Sequence, residues 1–210
     1  MAAAEYDFHG KTAIVTGASK GIGREVSLRL AAAGCRVGAT ARTVSELESL
    51  KEEIAAQGGS SAASTASTGA AKKRPAGAWQ AECEVFPCDL SDAGQVDAMT
   101  QHFIDCFGRI DYLVNNAGTT FPEPFLETDL GHWDTTMAVN LRAPMLVARN
   151  VARNMAKHGG GSIVQISSLA GVVGIEDHAA YCASKFGMHG LAKVMALELG
   201  PLGIRVNSVA

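Results

Sequence analysis

No apolar run in this 210-residue chain approaches the roughly 20 residues that a membrane-spanning helix needs. The first seven residues lack the basic and apolar regions of a secretory signal. The formal net charge of −3 gives no excess of basic residues for nucleic acid. These absences favour a cytoplasmic protein with a small-molecule partner, although the basic triplet Lys72–Arg74 leaves organellar targeting open.

The chain contains few cysteines, and their number is odd. The five residues have no tight framework, which favours free thiols in a reducing compartment over disulfides. No His/Cys group along the sequence has the spacing of zinc ligands, so no metal is expected. The cysteines are Cys35, Cys83, Cys88, Cys106 and Cys182.

Strand-like and helix-like segments alternate along the chain. The predicted strands are Lys11–Thr16, Arg36–Ala41, Glu84–Cys88, Tyr112–Asn115, Ser162–Ser167 and Arg205–Val209. The predicted helices are Gly21–Ala33, Val44–Gln57, Asp92–Phe107, His132–His158 with a break near Pro144, and His178–Leu199. This alternation predicts one α/β domain over residues 1–210, a doubly wound parallel sheet of the Rossmann type in three α/β/α layers.

Residues 58–81 do not fit this alternation of strands and helices. The segment is rich in Ser, Ala, Thr and Gly and cannot bury much apolar surface, so we expect a disordered insertion. It lies between the second helix and the third strand. In this topology that position is the edge where strands begin, opposite the ligand crevice, so the insertion should be neutral for chemistry.

A glycine-rich loop joins the first strand to the first helix. Gly17, Gly21 and Gly23 give the pattern G-x-x-x-G-x-G in a strand–loop–helix setting. Glycine permits the tight turn and lets backbone N–H groups approach a pyrophosphate, and the helix N-terminus adds a favourable field for an anion. The loop therefore predicts a dinucleotide site.

The second strand ends without the carboxylate that commonly binds the ribose 2′-hydroxyl of NAD. The chain reads Thr40-Ala41-Arg42-Thr43 there, and the next acid, Glu46, lies in the following helix. Arg42 can bind a 2′-phosphate through charge-assisted hydrogen bonds, and Lys20 can approach it from the glycine loop. This favours NADP(H); the alternative is that Arg42 is a plain surface charge.

Two further strand ends carry candidate cofactor residues. Asp89 follows the third strand, where its carboxylate can accept from the adenine amino group; either Asp89 or Ser91 could instead cap the next helix. Residues 115–118 follow the fourth strand. Their small side chains let the backbone approach the cofactor ribose, and an asparagine side chain can tie neighbouring strands together.

Tyr181 and Lys185 lie four residues apart in a predicted helix, so their side chains share one face. A lysine ammonium beside a phenol favours the phenolate form and makes a proton donor suited to neutral pH. Such a pair alone is usually a solvated surface pair. Together with the glycine loop and Ser168, it indicates a catalytic site instead.

These motifs together resemble the short-chain dehydrogenase/reductase family in its single-domain form. The resemblance rests on TGASKGIG, CDL, NNAG, Val139-Asn140-Leu141, Ser167-Ser168, YCASK and IRVN. It implies a sheet of order 3-2-1-4-5-6-7 and hydride transfer to or from a nicotinamide. The chain stops before the seventh strand and the substrate lid that the family implies, so a C-terminally incomplete fold is expected.

The resemblance also implies roles for individual residues. Tyr181 would be the general acid or base, Lys185 would bind the nicotinamide ribose, and Ser168 would bind the substrate oxygen. Ser167 has the wrong spacing for that role. Asn140 would hold a water in the proton relay. The expected cofactor contacts are Gly17, Ala18, Ser19, Lys20, Gly21, Ile22, Gly23, Arg42, Thr43, Asp89, Leu90, Asn116, Ala117, Gly118, Tyr181 and Lys185.

Three functions follow as alternatives. The first is an NADPH-dependent carbonyl reductase, because residues 193–201 and the Tyr181-Cys182 pair resemble the L-xylulose (dicarbonyl) reductases. The second is a 3-oxoacyl-thioester reductase, whose glycine loop is equally similar. The third is a catalytically silent NADP(H)-binding module, motivated by the early end of the chain. A homotetramer or dimer is expected if the chain continues past Ala210.

Overall fold

Six parallel strands form one sheet in the computed structural model, which describes residues 6–60 and 82–210. The strands are β1 (Thr12–Thr16), β2 (Arg36–Ala41), β3 (Cys83–Pro87), β4 (Tyr112–Asn115), β5 (Gly161–Ile166) and β6 (Ile204–Val209). Their order is β3-β2-β1-β4-β5-β6, and every adjacent pair is parallel. The predicted doubly wound sheet is confirmed, and β1 and β4 flank the point where the strand order reverses.

Helices cover both faces of this sheet. They are α1 (Gly21–Ala32), α2 (Val44–Ser60), α3 (Ala93–Phe107), α4 (Leu130–Met137), α5 (Ala143–Lys157) and α6 (Ala179–Leu199). One core cluster joins the sheet to α1 and α2 through side chains such as Leu47 and Ile54. The other joins it to α3, α5 and α6 through Phe103, Met155 and Met195. None of the described helices is long and apolar enough to cross a membrane.

The long helix predicted over residues 132–158 is divided, and the division has a definite geometry. A π-helical segment, Ala138–Arg142, separates α4 from α5. Pro144 follows in the first turn of α5, and because it has no N–H it cannot donate back to the helical backbone that precedes it. The wider π turn places Asn140 at the junction, fully buried.

The cap of α3 differs from both residues considered in the sequence. Asp92 occupies the N-cap, and its Oδ1 accepts from the backbone N–H groups of Gly94 (2.8 Å) and Gln95 (3.1 Å). Neither Asp89 nor Ser91 caps the helix. The carboxylate of Asp89 instead accepts from the N–H and the hydroxyl of Ser91, at 2.9 and 2.8 Å.

The first three residues of the predicted insertion, 58–60, belong to a helix. Helix α2 continues to Ser60, so its end passes the expected boundary by three residues. The remainder of that segment lies outside the described residues. At the other end of the chain, β6 forms the sheet edge among the described residues, next to β5.

Candidate active site at the carboxyl ends of the strands

The glycine loop is held in place by one asparagine side chain. Asn116 Nδ2 donates to the carbonyls of Thr16 (3.0 Å) and Gly17 (3.1 Å), which ties the end of β4 to the end of β1. A Cβ added to Gly23 would lie 2.3 Å from the Gly17 carbonyl oxygen and 2.4 Å from Asn116 Nδ2. Gly17 itself has a φ of +66°. The loop therefore requires glycine at both positions.

The N-terminus of α1 is open to an anion. Its N-cap, Lys20, makes no side-chain hydrogen bond to the helix, and the first turn contains no acidic residue. The first N–H groups of a helix need acceptors, and the helix dipole favours negative charge at this end. A phosphate would meet both requirements, so the residues present fit the pyrophosphate that the loop predicts.

A cleft with a volume of ≈ 380 Å³ lies along these strand ends. Eleven of the predicted cofactor residues line it: Gly17, Ser19, Lys20, Ile22, Arg42, Thr43, Asp89, Leu90, Asn116, Ala117 and Gly118. Ala18 is fully buried, and its N–H donates to the Thr40 carbonyl. Gly21, Gly23, Tyr181 and Lys185 do not line this cleft.

Sequence reasoning missed several residues of the cleft wall. They are Ala41, Glu46, Cys88, Ser91, Thr119, Phe121, Thr135 and Val139. Glu46 matters most, because its position in the helix had removed it from consideration as a coenzyme contact. Arg42 is exposed and has no acidic partner within salt-bridge distance among the described residues. The cleft therefore carries two cationic side chains, Arg42 and Lys20, and two carboxylates, Glu46 and Asp89.

Lys185 lies almost completely buried below Tyr181 on α6. Its Nζ donates to the carbonyl of Ile166 at 2.8 Å and lies 5.6 Å from the centre of the Tyr181 ring. Burial lowers the pKa of Lys185 to about 8, because desolvation penalises the ammonium. The side chain is therefore still mainly protonated at neutral pH, with donors beyond the one that Ile166 uses.

The two adjacent serines have different surroundings. Ser167 is buried, and its hydroxyl faces the backbone carbonyl of Lys185 at 3.5 Å. Ser168 begins a short 3-10 turn, and its Oγ accepts from the N–H of Ala170 at 3.1 Å. The hydroxyl of Ser168 has no acceptor among the described residues, nor does that of Tyr181. Each hydroxyl group can thus donate to a substrate oxygen.

Asn140 links three parts of the site. Its Oδ1 accepts from the N–H of Thr119, and its Nδ2 donates to the Thr119 carbonyl, both at 2.8 Å. The same Nδ2 donates to Ser184 Oγ at 3.1 Å, one residue before Lys185. Both amide hydrogens are thereby used, and one acceptor position on Oδ1 remains. The π-helical junction, the loop after β4 and α6 are thereby joined.

Taken together, these elements define a dinucleotide-dependent oxidoreductase site at the carboxyl ends of a doubly wound sheet. The chain belongs to the short-chain dehydrogenase family, whose model matches residues 11–73 and 60–210. A D-threitol dehydrogenase of Mycolicibacterium smegmatis is 36% identical over 208 residues, covering 98% of this chain and 72% of the relative. An L-xylulose reductase of Bos taurus is 38% identical over 201 residues, 95% of this chain and 70% of the relative.

A solved structure supports the same placement. The crystal structure of a metagenomic short-chain oxidoreductase in complex with NADP matches with a TM-score of 0.83 at 38% sequence identity. The match covers 97% of this chain and 82% of that one. The family and the fold predicted from the motifs are therefore confirmed, and the chain is an oxidoreductase of this class.

Substituting Gly23 tests the glycine loop. Gly23→Ala places a methyl group against the Gly17 carbonyl and Asn116, so we expect NADP(H) affinity to fall at least tenfold and the melting temperature to fall as well. Gly190→Ala is the control, because a Cβ there meets nothing within 4 Å. Replacing this helix-interior glycine by alanine should raise the free energy of unfolding by up to about 1 kcal/mol. Equal coenzyme affinity in the two variants would contradict the geometry.

The burial of Lys185 predicts a pH-dependent stability. The pKa of Lys185 is lower in the folded protein than in the unfolded chain, so between about pH 8 and 10.5 the unfolded chain binds more protons at this residue. The contribution of Lys185 to the free energy of unfolding therefore rises with pH across that window. Relative to Lys185→Met, the wild type should gain up to about 3 kcal/mol from pH 7 to pH 10 in urea unfolding. Lys193→Met, at an exposed position of the same helix, is the control. The prediction fails if the free energy of unfolding changes with pH equally in Lys185→Met and Lys193→Met.

Proposed function

We propose that the protein is an NADPH-dependent carbonyl reductase with Tyr181 as its proton donor. The observation that carries this proposal is the pair of hydroxyls on Tyr181 and Ser168, which have no acceptor in the described part of the chain. The ring of Tyr181 lies 5.6 Å from the buried Nζ of Lys185, and hydroxyl donors beside a cation are what a developing alkoxide needs. When bound, NADPH supplies the hydride, and the protein supplies placement and the proton.

The roles of the side chains follow from their contacts. Ser168 donates a hydrogen bond to the substrate oxygen, and Tyr181 transfers its proton to that oxygen as the alcohol forms. The ammonium of Lys185 stabilises the phenolate that remains, while its bond to Ile166 holds it in place. The amide of Asn140 is occupied by Thr119 and Ser184, so a relay water near it would rest on the remaining acceptor position of Oδ1 or on backbone groups.

The relatives favour a small polar carbonyl compound as substrate. A D-threitol dehydrogenase and an L-xylulose reductase act, by their names, on short polyols and sugars, and both align with more than nine tenths of this chain. We therefore propose a ketose or dicarbonyl substrate. NADPH oxidation measured with L-xylulose, diacetyl and an acetoacetyl thioester separates this proposal from a 3-oxoacyl-thioester reductase, and turnover of none of them favours a silent binding module.

Self-association is proposed as well. A hollow of ≈ 830 Å³ lies along α4, the π-helical junction and α6, lined in part by Leu141, Met145 and Leu191. Helix α6 also exposes Phe186 and Leu197, the latter with 79% of its surface accessible. Exposed apolar surface of this kind is typical of an interface, which supports a homo-oligomer, a dimer or tetramer.

Removing one oxygen tests the proton donor. Tyr181→Phe should lower kcat by roughly 10²–10⁴-fold, the usual contribution of a positioned acid, while NADPH affinity stays within about twofold of the wild type. The control is Tyr112→Phe, since Tyr112 lies at the start of β4, away from the strand ends that form the site. Steady-state rates and fluorescence titration provide the two measurements. A Tyr181→Phe enzyme with wild-type kcat would refute the assignment.

Reversing the charge of Arg42 tests the coenzyme preference. Arg42→Asp should lower kcat/KM for NADPH by roughly tenfold or more, because a charge-assisted bond to the 2′-phosphate is lost. The ratio of kcat/KM for NADH to that for NADPH should therefore rise. Arg149→Asp makes the same charge change on an exposed position of α5 and should leave the ratio unchanged. Unaltered discrimination in Arg42→Asp would leave the NADP(H) proposal without its main support.

A further inference from the structure

Three side chains of different chemistry converge beside the outer edge of the sheet. Glu84 lies near the start of the edge strand β3, and His102 and Cys106 lie one turn apart on α3. His102 Nε2 is 3.0 Å from Glu84 Oε1 and 3.6 Å from Cys106 Sγ. The carboxylate oxygen, the imidazole nitrogen and the sulfur all lie within 4.8 Å of one another.

Hydrogen bonding satisfies this convergence only in part. A single imidazole nitrogen carries either a proton or a lone pair. His102 Nε2 can therefore donate to Glu84 or accept from the Cys106 thiol, but it cannot do both at once. A cation placed between the three atoms satisfies all of them. Zinc–ligand distances of about 2.0–2.3 Å imply ligand–ligand separations of roughly 3.3–3.8 Å in a tetrahedron, close to those observed.

The surroundings prepare these groups for such a role. The ring of His102 packs against Phe86 and Phe103, with ring centroids 5.0 and 5.5 Å away, which fixes its orientation. Arg36 and Lys51 line the same hollow as Glu84 and Cys106, and Arg36 is paired with Glu82 at 2.8 Å. The carboxylate of Glu84 is paired with the imidazole of His102.

Among the cysteines, Cys106 is the one suited to coordination. It is exposed and lies one helical turn from His102, so an ion can reach its sulfur from solvent. Burial raises the pKa of the thiols of Cys35 and Cys83 to about 12 and that of Cys88 to about 11, which disfavours the thiolate that a metal requires.

We propose that Glu84, His102 and Cys106 form a three-ligand site for a borderline divalent cation such as Zn²⁺, with its remaining coordination position open to water. Mixed O, N and S ligands suit zinc and disfavour Mg²⁺ or Ca²⁺, which take oxygen ligands. The ion would clamp the edge strand β3 to α3. The cofactor cleft lies at the opposite, carboxyl end of the strands, so the site acts on stability rather than on hydride transfer.

A titration of the full chain with Zn²⁺ tests this proposal. After treatment with a chelator, the wild type should bind one Zn²⁺ per chain in competition with a chromophoric chelator, and its melting temperature should rise with Zn²⁺. Cys106→Ser and His102→Ala should each weaken this binding by more than the roughly 10–100-fold that outer-shell changes cost. Cys182→Ser and His9→Ala are the controls, since His9 lies beside the carboxylate of Asp7 without a cysteine.

Cobalt substitution identifies the ligand directly. Co²⁺ bound to a thiolate gives a near-ultraviolet charge-transfer band, which should appear in the wild type and in Cys182→Ser but be absent in Cys106→Ser. All these variants should stay folded, because Cys106 is exposed and His102 is only half-buried. The proposal is overturned if the band persists in Cys106→Ser, or if no stoichiometric Zn²⁺ binding is found in the folded wild type.

Discussion

The buried ammonium of Lys185 is the constraint around which the active site is organised. Placing a cation in the interior costs free energy, and the lowered pKa of Lys185 records that cost. Its bond to the carbonyl of Ile166 recovers part of it and fixes α6 against the end of β5. Ser168 leaves β5 two residues later, and Tyr181 lies one helical turn above the lysine. This polar contact therefore links the strand that precedes Ser168 to the helix that carries Tyr181.

Two asparagines extend this organisation to the cofactor side. Asn116 joins the ends of β1 and β4, where the strand order reverses and a crevice opens. Asn140 joins the loop after β4 to α6 through Thr119 and Ser184. Each amide bonds backbone groups that no regular secondary structure satisfies, so the loops are held without bulky side chains. Because two asparagine side chains make these ties, the other residues of the loops can remain small enough for a dinucleotide to approach.

Much of this arrangement could be predicted from the sequence, because a motif that follows a strand must lie at that strand's carboxyl end. The position of the glycine loop follows from that rule, and the sheet order is what the family resemblance implied. Contacts that depend on three-dimensional packing could not be predicted. Asp92 rather than Asp89 caps α3, because the local turn decides which carboxylate meets free N–H groups. The convergence of Glu84 with His102 and Cys106 joins residues 18 to 22 positions apart, a spacing that matches no zinc motif.

Packing also changes the set of charges in the coenzyme cleft from the one expected from the sequence. Arg42 and the absence of an acid at the end of β2 favour a 2′-phosphate, yet the first turn of α2 brings Glu46 into the same cleft. Asp89 lines the same cleft, so Lys20 and Arg42 face two carboxylates there and the four charges sum to zero. Because Coulomb interactions weaken with distance, the net charge of the cleft does not select the coenzyme, and the positions of the individual groups do. The NADP(H) proposal therefore rests on the place of Arg42 at the end of β2 rather than on the sum of the charges.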